Sequence, residues 1–409
     1  MLGDHCLTTV WTMACIGSGR LCARVEKWCQ LGHSIQARRK ASTCVRIKHF
    51  DVQPVTRTLV QSCQSRALSS ARPQQPGSLP DYQVDPYRLL EDDLKDVYDD
   101  IREELRRNST EPELETIATY YFDGQGKALR PMVSILMARA INYHMYKEKG
   151  GLLAAQRQVA MVSEMIHSAS LIHDDVVDQA DFRRGKPSVN ALWNHKKVAM
   201  AGNFVLAVLC MMIARLRNDD VTITLSQVVT DLVQGEFMQM GSKETENERF
   251  AHYLTKTYRK TASLIANTAK ATAMLAGADE ALVEVAFQYG RNVGLAFQLV
   301  DDLLDFVSSS AAMGKPAAAD LKLGLATAPV LFACERFPEL NPMIMRRFQE
   351  PGDVERAFEL VHQSQGLAQT QFLARQHCAE AMRQARAIAA SPYQKGLQVV
   401  TDLVVNRIK

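Results

Sequence analysis

The stretch SEMIHSASLIHDDVVD, residues 163–178, holds one acid, Glu164, among largely apolar and small residues before it closes on Asp174, Asp175 and Asp178. The same acidic form returns as Asp301-Asp302-Leu303-Leu304-Asp305, after the mostly apolar run 293–300. A lone pentad of this kind on an amphipathic helix reads as a solvated face. Two of them behind apolar flanks do not. On a helix Asp174 and Asp178 lie one turn apart on one face, as do Asp301 and Asp305. If the two helices face each other, up to six carboxylates enter one cleft, where like charges raise one another's pKa and the arrangement holds only with cations between them. All-oxygen ligands suit Mg2+, which keeps several waters and bridges to substrate phosphates. The pentads therefore point to a diphosphate held by magnesium.

From Pro86 to the end, apolar residues recur at three- and four-residue spacing with no convincing alternating strand, so the fold class is all-α. The pattern predicts helices over 87–107, 112–121, 131–146, 153–181, 189–216, 220–241, 248–276, 279–309, 319–337, 351–363, 366–389 and 392–407. Breaks fall at glycine and proline clusters such as 124–126, 185–187 and 314–316. Long helices joined by short loops pack as a large antiparallel bundle with the site in its core.

The 409 residues carry a net charge of +3, unevenly distributed. Residues 1–80 hold eleven Arg and Lys against three acids, a net of +8, which leaves −5 for residues 81–409. Six of the nine cysteines also fall in the first 80 residues; Cys210, Cys334 and Cys378 are too few and scattered for a disulfide framework or zinc site. The body is expected in a compartment without disulfide chemistry. Residues 1–80, rich in Arg, Ser and Thr and closed by a Pro/Gln/Gly stretch, read as a mitochondrial presequence plus linker, with 81–409 as one catalytic domain. A secretory signal fits poorly, because Asp4 and His5 stand where basic residues belong. The Arg residues are spread rather than clustered, which argues against nucleic acid. The apolar run 204–214 ends at Arg215 and is too short to span a bilayer, so no transmembrane span is expected.

A diphosphate site needs cations as well as metal. Lys127 and Arg130 stand close together at a predicted helix start, where free backbone N–H groups favour anions. Arg183 and Arg184 follow the first pentad, and Lys260-Thr261 lies within a predicted helix, where an unpartnered ammonium facing the core would be costly. Each alone reads as surface charge. Together they supply five cations, a balance that suggests two diphosphate substrates. His167 lies two turns before Asp174, and Gln298 three residues before Asp301; the plain reading of each is a satisfied packing residue.

With these residues in place, the chain from about 85 to 409 resembles the trans-prenyltransferases, the all-α isoprenyl diphosphate synthases. The resemblance rests on GKALRP at 126–131, HSASLIHDDVVD at 167–178, RRG at 183–185, KT at 260–261 and GLAFQLVDDLLD at 294–305. It is nearest to the long-chain mitochondrial type that makes the ubiquinone side chain. The resemblance implies Mg2+ held by Asp174, Asp178 and Asp301 with Asp305 near. It implies an isopentenyl diphosphate pocket of Lys127, Arg130, His167 and Arg184. Arg183, Lys260 and Gln298 would serve the allylic diphosphate (farnesyl or geranylgeranyl), with Thr261 beside the reacting carbons. It also implies small residues, Ala169 and Ser170, at the mouth of a product tunnel, where synthases that stop early place bulky aromatics. A homologous second subunit is expected, and a peripheral membrane contact would serve product release. Three positions depart from the family pattern: Ala128 for Arg, Asn203 for Asp, and Leu325 for Lys. The losses at 128 and 325 remove positive charge near the diphosphates and fit a subunit that needs a partner.

Three other readings compete. A terpene cyclase shares the fold and first pentad, but its second motif would place Ser or Thr and Glu where Asp305 and Ser309 stand. An HD-type phosphohydrolase, suggested by His173-Asp174, needs several more histidines. A non-catalytic subunit sits badly with two intact pentads, whereas a weakly active subunit of a synthase heteromer stays open.

Overall fold

The computed structural model describes residues 84–124, 128–147, 150–241, 248–307 and 318–407. The expected presequence and Lys127 lie outside the described residues. Nine helices organise the site: α1 (Leu129–Tyr146), α2 (Ala154–Val177), α3 (His195–Arg215), α4 (Asp219–Met240), α5 (Arg249–Thr257), α6 (Ser263–Leu275), α7 (Glu280–Val307), α8 (Gly366–Ala387) and α9 (Pro392–Asn406). A π-helical turn, Tyr258–Ala262, joins α5 to α6. The strands among the described residues form one short ribbon, Phe182–Arg183 paired with Lys186–Pro187. The all-α expectation holds.

Helix α6 packs against α7, α4, α1 and α2. Its buried positions are small or short, among them Ala266, Asn267, Thr268, Ala269, Ala271 and Thr272, so four helices can approach its backbone. Glycines on α7 make the approach closer still. A Cβ on Gly290 would lie 2.6 Å from the Ile265 carbonyl oxygen, and one on Gly294 2.5 Å from the Cα of Ala262. Two apolar clusters flank this axis. One includes Ile166, Ile172, Val205 and Leu225; the other includes Leu136, Ile141, Tyr289 and Leu397. Removal of such side chains from water, at about 1.5–3 kcal/mol each, is the main force holding the helices together.

Several predicted helices break where local chemistry intervenes. The 87–107 segment divides at Asp96, which adopts a left-handed φ of 60°. The 189–216 segment divides at Trp193, and Asn194 caps the new start by accepting from the Lys196 N–H at 2.9 Å. The 319–337 segment becomes Ala319–Lys322 and Ala328–Ala333, separated by Gly324 at φ +77°. A short helix at Leu340–Met345 was not expected.

Helix α3 is longer and more apolar than the run read from sequence, and by length and composition alone it could cross a membrane. In the fold it packs against α2, with Val198, Ala201, Val205, Leu209 and Ile213 buried. It serves as a core helix of the bundle.

Candidate active site

The last turn of α2 sorts its three aspartates by direction. Asp175 is fully buried: it accepts from the Tyr121 hydroxyl and from Arg183 at 2.8 Å (Nε) and 2.6 Å (Nη2). Its charge is compensated inside the fold. Asp174 and Asp178 face a different set of groups, on α4 and the π-helical turn. Burial pushes the Asp174 carboxyl up to about 6; Glu236 and Asp178 add to the rise, and Lys260 opposes it. Asp178 is shifted upward by burial and by Glu236, again against Lys260.

The segment after the pentad is a hairpin rather than a continuation of helix. Arg184 at φ 54° and Gly185 at φ 78° form its two-residue turn, a conformation that glycine adopts without strain. The ribbon folds back along α2, so that Arg183 reaches Asp175 and Arg184 Nη2 comes 3.3 Å from His167 Nε2. His167 is held neutral, its pKa well below the ordinary value through burial and then through Arg130, Arg184 and Arg183. Burial also lowers the pKa of Arg130, against the pull of Glu164 and Asp301. Glu164 accepts from the Tyr98 hydroxyl at 3.3 Å. Arg130, His167 and Arg184 are thus brought together in a basic basin, with Glu164 as the acid beside them.

The π-helical turn sits between the pentads. Such turns displace side chains from regular helical register and recur at functional sites. Gly235 lets α4 close on it, since a Cβ there would lie 2.7 Å from Cγ of Lys260. That contact brings Glu236 Oε2 to 2.5 Å and Gln239 Oε1 to 3.1 Å from the Lys260 ammonium. On the other side, Thr261 donates to Gln298 at 2.8 Å and Gln298 donates to Asp302 at 2.9 Å. Asp302 also accepts from the Tyr253 hydroxyl at 2.5 Å, and burial pushes its carboxyl up to about 6. Asp301 is more open and pairs with Arg407 at 3.1 Å. Both oxygens of Asp305 accept backbone N–H groups, from Ala319 and Asp320, each at 3.1 Å.

Two of the expected site residues carry contacts within the protein: Arg183 pairs with Asp175, and both oxygens of Asp305 accept from the start of Ala319–Lys322. Ala169 is fully buried among the apolar residues of α2 and α3, while Ser170 donates to the His167 carbonyl at 2.8 Å. Glu236, Gln239, Tyr253, Glu164 and Arg407 were not anticipated. The signal for Glu236 was Gly235: a glycine inside a helix costs about 1 kcal/mol relative to alanine and marks a close approach.

The donor chemistry fits a hard divalent cation. Asp174, Asp178 and Asp301 offer carboxylate oxygens at the rim of the cleft, and burial first, with Glu236 adding to it, raises the pKa of Asp174 and Asp178. Among the described residues no three His, Cys, Asp or Glu side chains already converge as a metal cage. The histidine-rich cage of an HD-type hydrolase has no counterpart among the described residues. His173 instead packs against α3, where a Cβ on Gly202 would lie 2.4 Å from its Nε2.

Residues 111–361 match the family model described as Polyprenyl synthetase. The chain is 53% identical over 326 residues to the Homo sapiens all trans-polyprenyl-diphosphate synthase PDSS1, covering 80% of this chain and 78% of that protein. It is 38% identical over 344 residues to solanesyl-diphosphate synthase 1, mitochondrial, of Oryza sativa subsp. japonica, covering 80% of each. A crystal structure of a polyprenyl synthase from Caulobacter crescentus, complexed with calcium and isoprenyl diphosphate, superposes with a TM-score of 0.71 at 31% identity; the match covers 82% of this chain and all of that one. With the acidic pentads, the basic basin and the π-helical turn in one fold, this chain belongs to the polyprenyl synthetase family.

Proposed function

We propose that the chain is a long-chain all-trans polyprenyl diphosphate synthase of the mitochondrion, adding isopentenyl diphosphate units to an allylic diphosphate to build the ubiquinone side chain. The observation that carries this reading is the π-helical turn. Its Lys260 neighbours Asp174 and Asp178, while the adjacent Thr261 reaches Asp302 through Gln298, so one short segment links both pentads.

In this reading Asp174, Asp178 and Asp301 hold Mg2+, which supplies positive charge to the departing diphosphate. Lys260 swings from Glu236 to an allylic phosphate oxygen and adds charge where negative charge develops. The allylic C–O bond then breaks. Arg130, Arg184 and neutral His167, with Lys127, hold isopentenyl diphosphate so that its double bond meets the allylic carbon. A new C–C bond forms there, a proton leaves for the released diphosphate, and the chain is five carbons longer. Thr261 and Gln298 line the wall beside these carbons, and the apolar helices exclude water that would quench the cation.

A homologous second subunit completes the enzyme in this reading. Helix α4 exposes Ile223, Val233, Phe237 and Met240, at successive spacings of ten, four and three residues that return to one helix face and suit helix-to-helix packing. The losses of charge at Ala128 and Leu325 favour the same conclusion. Residues 1–80 act as the import sequence. Magnesium-dependent conversion of labelled isopentenyl diphosphate into long extractable products, assayed with and without the partner, tests the reading. Absence of incorporation under both conditions would overturn it.

A further inference from the structure

The π-helical turn that carries Lys260 and Thr261 holds one residue more than a regular turn: the Ser263 N–H donates to the Tyr258 carbonyl, five residues back. A helix advances by about 100° per residue, so loss of the extra residue would rotate Lys260 by about that angle relative to α6. Turns of this kind are rare beside the α-helical form, and one persists where its surroundings impose it.

Helix α4, which packs on both the turn and α6, imposes it here. Gln227, Asp231, Gly235 and Gln239 recur every four residues and follow one side of α4. Gly235 lies against the backbone of the turn, since a Cβ there would come 3.2 Å from Cβ of Arg259 and 3.3 Å from the Lys260 backbone nitrogen. One turn earlier, Asp231 is buried; one of its oxygens accepts from the Ser263 hydroxyl and the other from Gln227 at 2.9 Å. Asn267, one turn into α6, donates to Ser263 Oγ at 3.0 Å and to the Ser263 carbonyl at 2.9 Å. The donors thus run from Asn267 to Ser263 to Asp231. The Tyr258 hydroxyl joins the same group: burial first and then Asp231 raise its pKa, and hydrogen bonding with Ser263 and Asn267 opposes the rise. Both ends of the π-bond, Tyr258 and Ser263, therefore meet one carboxylate.

A buried carboxylate is costly unless hydrogen-bonded, and an apolar residue would pack α4 on α6 at less cost. What the carboxylate adds is direction, because it orients Ser263 beside the bond that closes the turn. We propose that Asp231, acting through Ser263, is a positioning residue for the prenyl transfer: it clamps the π-helical turn in the register that sets Lys260 beside Asp174 and Asp178 and Thr261 on Gln298. The clamp is a property of the fold; its bearing on turnover rests on the prenyltransferase reading.

Amide hydrogen exchange over residues 258–263 of the full chain, free of substrate, reads the clamp directly. Ser263→Ala and Asp231→Ala should quicken exchange there at least about tenfold, while α2 and α3 keep their protection. Asp231→Asn, which keeps an acceptor for Ser263, should stay within about threefold of the parent. In turnover assays Ser263→Ala should lower kcat about ten- to a hundredfold and leave KM for isopentenyl diphosphate within about twofold, because that substrate's basin lies elsewhere. Asp231→Asn should restore most of the rate lost in Asp231→Ala. Unchanged exchange at the turn in Ser263→Ala would overturn the proposal, whether or not Asp231→Ala folds. So would a rise in KM for both substrates in step with the fall in turnover, or an Asp231→Asn enzyme as slow as Asp231→Ala, since each marks general structural damage. If the turn loosens as expected yet the parent chain never consumes isopentenyl diphosphate, the clamp stands and the proposed reaction falls.

Discussion

The Lys260 ammonium lies 2.5 Å from the Glu236 carboxylate, so the cation expected to grip a diphosphate is already engaged on an acid that also raises the pKa of Asp174 and Asp178. The Asp174 carboxyl, pushed up to about 6, holds its proton longer than an ordinary aspartate. Metal needs the ionised form, so apparent Mg2+ affinity is complete above this value. Below about pH 6 it should weaken by about tenfold per pH unit. Glu236→Gln removes a negative neighbour and should move this fall to lower pH. Magnesium titrations of activity between about pH 5 and 8 would check both statements.

Arg183 should matter for folding more than for substrate. Arg183→Ala leaves the fully buried Asp175 carboxylate to the Tyr121 hydroxyl without its guanidinium and should destabilise the fold by about 3 kcal/mol. Arg183→Lys should recover part of that loss. Thermal melts together with KM for the allylic substrate would separate the roles: a stable Arg183→Ala protein with a sharply raised KM would return Arg183 to the substrate.

For Asp305 the backbone contacts set the expectation. Because its oxygens accept from Ala319 and Asp320, Asp305→Ala should cost about 1–2 kcal/mol of stability. Its loss of turnover should be smaller than that of Asp301→Ala. Asp305→Asn keeps an acceptor and should be milder on both counts. Denaturant unfolding alongside Mg2+-dependent rates gives the comparison.

The fold class and the place of the site were legible in the sequence because they depend on patterns that survive folding: helical apolar spacing and two pentads at matched phase. Arg183 and Asp305 were harder, because nothing in linear order says that a hairpin at Arg184-Gly185 turns one arginine onto Asp175, or that the chain at Ala319 returns to Asp305. Glu236 and Arg407 come from segments distant in sequence and meet Lys260 and Asp301 through packing alone. Helix breaks at Asp96 and Trp193 were missed for a related reason. Neither residue is a strong helix breaker, and in each case the packing of neighbouring elements outweighs weak local preference.

Chain length should respond to Ala169. It is fully buried one turn before the first pentad, so Ala169→Phe fills space near the reacting end of the product and carries an overpacking cost of about 1–3 kcal/mol. The variant should keep its first condensations and stop at short products. Reversed-phase chromatography of extracted chains would show it, with melting curves to confirm folded protein; an unchanged long product would mean that the chain grows along another path.

The central claim is that the two pentads act together on a metal-bound diphosphate. Its most direct test is the turnover of labelled isopentenyl diphosphate by Asp174→Ala and Asp301→Ala at saturating Mg2+, in protein shown to be folded. Each substitution should raise the barrier by about 3–4 kcal/mol, a loss of at least about a hundredfold in rate. Near-normal turnover in either variant would contradict the account.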